Sequence, residues 1–134
     1  MNFTSQICTT KEQSERLLSL GLKKETADMY YHCIVCNEYP EYILMIGSPK
    51  IPLDTPAWSL HRLIEMMPSF IEVDDSPFRL ELKIAQGKLV LYESIVEDSI
   101  GYVFGHVNLY NSIISCIGQL IKECYFNKEY LEGK

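Results

Sequence analysis

The sequence predicts an α+β protein: an antiparallel sheet packed against about three helices. Three observations predict it. "FRLELKIAQGKLVLYES" alternates apolar and polar residues across a central Gln86-Gly87 and so reads as a β-hairpin over about 78–92. "TTKEQSERLLSLGL" carries helix start and stop signals. "NLYNSIISCIGQLIKECYF" carries a wide apolar stripe at helical spacing. With 134 residues the chain is expected to form a single domain, 1–134, with residues 1–9 and 127–134 loosely ordered.

The elements follow in order. Thr10 suits an N-cap, and Gln13 completes a capping box three residues on. Gly21 supplies the left-handed residue that closes a helix over about 11–20, and Leu22 can pack back on its last turn. Met29 to Val35 is a short apolar run, open to reading as a buried strand or as the end of a short helix capped by Thr26. "EYILMI", 41–46, reads as a strand stopped by Gly47 and Pro49. "DTPAWSLHRLIEMMP" predicts a helix capped by Asp54 or Thr55, with Pro56 in its first turn and Pro68 after it. "SFIEV" suggests a short strand, and "IGYVFGHV", 100–107, another, weakened by Gly101 and Gly105. The last helix is predicted over about 108–126, with Ile113, Cys116, Ile117, Leu120, Ile121 and Cys124 on its apolar stripe.

Charge and motifs exclude several functions. The net charge is −6, and the longest basic cluster is Lys23-Lys24, so nucleic-acid binding and attachment to an anionic membrane are not expected. Acidity suits a basic partner surface, or plain solubility. No apolar run is long enough for a membrane span, and the N-terminus has no signal-peptide pattern, so a cytoplasmic protein is expected. Its five cysteines then read as free thiols. Neither a Gly-x-Ser-x-Gly elbow nor a His-Glu-x-x-His occurs, and the glycines fit no phosphate-binding loop. No cofactor is expected, and no catalytic residue is assigned.

"YYHCIVC" is the stretch closest to chemistry. Cys33 and Cys36 with His32 are candidate metal ligands or a redox pair, against a reading as packing residues. Structural zinc wants four ligands, and Cys116 and Cys124 are about 12 Å apart on a helix. In a continuous strand Cys33 and Cys36 would face opposite ways, and nothing in "CIVC" marks a turn. A catalytic pair of Cys8 or Cys33 with His61 or His106 is a further, unsupported option. "EVDDSP" has carboxylates but not the alternation of a calcium loop, and reads as solvated loop charge, as do Glu93, Glu97 and Asp98. Nine tyrosines, four of them between 30 and 42, read either as aromatics edging the core or as an interaction surface of Tyr30, Tyr31, Tyr39, Tyr42 and Trp58 with neighbouring acidic loops.

"EQSERLLSLGL" leading into Thr26-Ala27-Asp28-Met29, Pro56-Ala57-Trp58-Ser59-Leu60 and the closing helix together resemble a family of small bacterial proteins of phage-like or mobile elements, over roughly 10–125. That family has no assigned activity, and the Cys33/Cys36 pair is not part of its pattern. The resemblance implies a small intracellular accessory protein. The function expected is non-enzymatic binding of a protein partner or of itself. The alternatives are a metal-binding or thiol-redox protein using Cys33 and Cys36, or a homo-oligomeric structural component.

Overall fold

A computed structural model describes residues 6–85, 88–94, 100–105 and 108–133. The expected α+β class with antiparallel strands and three α-helices is present, but the strands are divided between two sheets. The elements are α1 (Lys11–Ser19), β1 (Met29–Val35), β2 (Glu41–Ile46), β3 (Thr55–Ala57), α2 (Leu60–Met66), β4 (Phe70–Val73), β5 (Ser76–Ala85), β6 (Lys88–Ser94), β7 (Ile100–Gly105) and α3 (Leu109–Lys122), with short 3-10 turns at Lys24–Thr26 and Lys128–Tyr130. The chain divides into two compact units. One runs to Ile64 and takes back the chain from Lys128; the other is Glu65–Asn127. No helix among the described residues is long and apolar enough to cross a membrane.

In the first unit the sheet order is β2-β1-β3. α1 forms as its sequence dictates: the Thr10 side chain accepts from the Gln13 amide at 3.1 Å, and the Gln13 side chain accepts from the Thr10 amide at 3.0 Å. Gly21, at φ +105°, ends it; Leu22 N–H donates to the Leu17 carbonyl and Gly21 N–H to that of Leu18, a Schellman closure.

The segment 54–57 departs from the expected helix. Thr55–Ala57 is a strand paired with β1, Tyr30 opposite Pro56, and the helix starts at Leu60. A proline is tolerated because β3 is a sheet edge, where one missing donor leaves no bond unmade. Ser59 serves as the helix start instead: its hydroxyl accepts from Arg62 N–H, while its own N–H and hydroxyl donate to Asp28 at 2.9 and 2.5 Å.

Thr9 and residues 130–132 are bonded into this unit. Thr9 N–H donates to the Trp58 carbonyl, and the Trp58 amide donates to the Thr9 hydroxyl. Leu131 bridges Leu22, with Lys23 N–H donating to the Tyr130 carbonyl at 2.8 Å and Glu132 N–H to that of Gly21 at 2.7 Å. The buried Leu131 side chain anchors this return.

In the second unit β4-β5-β6-β7 form an antiparallel meander, and α3 lies against β6 and β7. Asp74 and Asp75, at φ 51° and 66°, make the two-residue turn between β4 and β5, so "EVDDSP" is a hairpin tip. β5 and β6 carry the expected hairpin, with a register irregularity between Leu80 and Lys83 that leaves Leu82 exposed. The expected Gln86-Gly87 turn lies outside the described residues, as do Glu97, Asp98 and His106.

Asn108 caps α3 by accepting from Asn111 N–H at 3.1 Å. The helix stops four residues before the predicted end. Cys124, expected on the apolar stripe, is exposed at φ 65°, and Tyr125 N–H returns to the Leu120 carbonyl. This is the same closure as at α1 with cysteine in the glycine position. Cys124→Gly is therefore expected to raise stability by about 0.5–1 kcal/mol. A shift of the urea midpoint upward with an unchanged slope checks it.

Candidate functional site

The site is built on β1 and β2 of the first unit. Register places Cys33 opposite Tyr42, and Tyr31 opposite Leu44, on one face of the sheet; His32 opposite Ile43, and Tyr30 opposite Met45, lie on the other. The β1–β2 register shifts between Cys33 and Val35, and the strand ends at Val35. That extra residue cancels the alternation that was expected to part the two thiols. Cys36 Sγ comes to 2.7 Å from Cys33 Sγ, and the Cys33 thiol donates to the Val35 carbonyl at 3.2 Å. Cys36 is exposed and Cys33 half-buried; neither is in a disulfide.

Lys11, the first residue of α1, places its ammonium 3.2 Å from the centre of the Tyr42 ring, a cation–π contact on the Cys33 face. The Cys33 thiol is held above its ordinary range, first by its contact with Cys36 and then by desolvation, with Lys11 pulling the other way.

His32 does not join the thiols. Adjacent residues of a strand face opposite ways, and His32 Nδ1 sits 2.8 Å from Asp54 Oδ1. The other oxygen of Asp54 accepts from the amides of Lys50 (2.9 Å) and Ile51 (3.1 Å). Asp54 is therefore the anchor of the 50–54 loop and not a helix cap. Burial alone would raise its carboxyl; the bonds from His32, Lys50 and Ile51 outweigh that and hold it below the usual carboxylate range. Among the described residues, no three His, Cys, Asp or Glu side chains converge as metal ligands would.

The remaining thiols are set apart by burial. Cys8 is buried with its sulfur 3.5 Å from the Tyr31 hydroxyl, and desolvation raises its thiol against the lowering effect of that contact. Cys116, enclosed in α3, is pushed up to about 12 by desolvation. His61 is exposed on α2.

The expected aromatic surface separates. Trp58 is 0% exposed and Tyr30 is 7% exposed, so neither is available to a partner. Trp58 is drawn inward because its indole N–H finds the Thr26 hydroxyl at 3.0 Å, leaving no buried donor unpaired. Tyr31 is half-buried, and its hydroxyl donates to the Thr9 carbonyl at 2.8 Å. Tyr39 is 79% exposed, and Tyr42 lies half-buried under Lys11.

Sequence reasoning did not single out what lies beside these tyrosines. β2 is an edge strand, and Ile43, Met45 and Ile46 on it are exposed, Ile46 at 87%. Its pattern, apolar in five of six positions, was the available signal. An open cleft of about 420 Å³ lined by Lys24, Glu25 and Pro49–Pro52 was also missed; Lys24 Nζ donates to the Pro52 carbonyl across it.

No protein-family model, curated protein or solved structure matches the chain.

Proposed function

We propose that the protein is a non-enzymatic interaction module that takes an extended segment of a partner protein onto the open edge of β2. The observation that carries this reading is the character of that edge. Exposed strands are ordinarily guarded by charge, proline or a bulge. β2 has Glu41 as its one charge and leaves Ile43, Met45 and Ile46 in solvent. Main-chain bonds from such an edge give affinity, and the alternate side chains give selectivity. The net charge of −6, with Glu38 and Glu41 near the start of β2, favours a segment that mixes apolar residues with Lys or Arg. Tyr39 is exposed just before β2, and Tyr42 lies on the Ile46 face of the strand. The resemblance carried by Thr26-Ala27-Asp28-Met29 and Pro56-Ala57-Trp58-Ser59-Leu60 supports an accessory role inside a bacterial cell, on a phage-like or mobile element.

The test is selection of displayed random peptides on the folded protein. Bound peptides are expected to be extended, basic and apolar, and to slow amide exchange in 41–46. Met45→Lys with Ile46→Lys should weaken them at least about tenfold, roughly 1.4 kcal/mol, while Phe70→Lys on the other unit should not. Peptides that bind the double variant equally well, with β2 exchange unchanged, would overturn the reading. A concentration-dependent dimer abolished by the same variant would make the occupant a second copy of the chain.

A further inference from the structure

We infer that Cys33 and Cys36 form a reversible dithiol–disulfide site that is oxidised by low-molecular-weight disulfides of the glutathione class. Three features of the molecule carry this. The two sulfurs already meet at 2.7 Å, held there by the register shift that ends β1. The pair is graded in access: Cys36 is exposed and Cys33 is half-buried behind it. The other thiols differ: Cys8 and Cys116 are buried, and Cys124 is exposed on the other unit with no cysteine partner in contact.

The step balances as a two-electron exchange. The Cys36 thiolate attacks one sulfur of the small disulfide; that S–S bond breaks, and the first small thiol leaves with a proton from solvent. Cys36 now carries a mixed disulfide. Cys33 loses its proton, and its sulfur attacks Cys36 Sγ, forming the intramolecular bond and expelling the second small thiol. The two protein thiols are oxidised, the small disulfide is reduced, and the two protein protons finish on the two small thiols.

Geometry sets this order. Attack needs access, which Cys36 has, and resolution needs a second sulfur within bonding reach, which Cys33 supplies. The Lys11 ammonium, stacked on Tyr42 directly opposite Cys33 in the register, lies on the side where the resolving thiolate develops. The contact with Cys36 also raises the Cys33 thiol, the direction that suits the thiol that reacts second.

The experiment exposes the reduced full chain to glutathione disulfide, quenches with acid, and reads intact mass and a peptide map. The native protein is expected to lose two hydrogens, retain no glutathione at Cys33 or Cys36, and yield one peptide linked between them. Cys33→Ser should stop at a stable glutathione adduct on Cys36. Cys36→Ser should be modified at Cys33 at least about tenfold more slowly. Cys116 should stay unmodified throughout. A stable Cys36 adduct in the native protein would overturn the proposal. So would two unmodified thiols at 33 and 36 while Cys124 reacts. Circular dichroism of each variant separates a lost fold from a lost site. Peptide binding at β2 does not enter either outcome, so this site and the interaction surface are judged independently.

Discussion

Trp58→Ala is expected to cost about 3–5 kcal/mol, the usual range for deleting a large aromatic from a packed core. The ring is fully enclosed, and the residue also ties the chain before α1 to β3 through its amide and carbonyl bonds with Thr9. Trp58→Phe separates ring burial from the indole bond. It keeps most of the buried area and loses the indole bond to Thr26, which still donates its hydroxyl to the Lys23 carbonyl. About 1–2 kcal/mol is expected for that change. Urea titration followed by circular dichroism measures both. A loss below about 1 kcal/mol for alanine would mean that the Thr9–Thr26–Trp58 cluster is not packed as described.

Asp54→Ala is expected to cost about 2–4 kcal/mol, because it strips a buried acceptor from His32 and from the Lys50 and Ile51 amides at once. The pH dependence has a definite sign. The folded-state value of Asp54 lies below its unfolded value of about 3.9. In the window between them the unfolded chain binds more protons, so stability rises with pH there. The contribution is complete above the ordinary carboxylate value and disappears as pH falls through the folded one. Asp54→Asn should flatten that acid limb while leaving the neutral-pH fold in place. Urea midpoints across the acid range, native against Asp54→Asn, are the measurement; parallel curves would show that another carboxylate governs the limb.

The parts of the fold that could be read from the chain are those decided within a few residues. α1 is fixed by Thr10 and Gln13 at its start and Gly21 at its end, all within one helix and its flanks, and the β5–β6 hairpin by its alternation. The segment 54–57 misled for the same reason: Asp-Thr-Pro is a good local helix start, and only pairing with Tyr30 on a distant strand turns it into β3. The polar tip of Trp58 is compatible with the surface or the core edge, and only Thr26, far off in sequence, satisfies that tip inside. The thiol pair was legible as a spacing and not as a geometry. A bulge at Ile34 carries no glycine to announce it, and that bulge alone decides whether Cys33 and Cys36 part or meet. The edge position of β2 is set by the order of strands, which no local pattern encodes.

The bridge between Leu22 and Leu131 bears on how the chain is made. It joins residues roughly a hundred positions apart, so its closure is entropically expensive and late compared with the local turns of α1. During synthesis, residues 65–127 take on the order of several seconds to emerge after the first unit's own strands are out. Throughout that interval the first unit lacks the strap that covers Gly21–Lys23. The first unit reaches its finished form only when residues 128–132 return to it across the inserted segment.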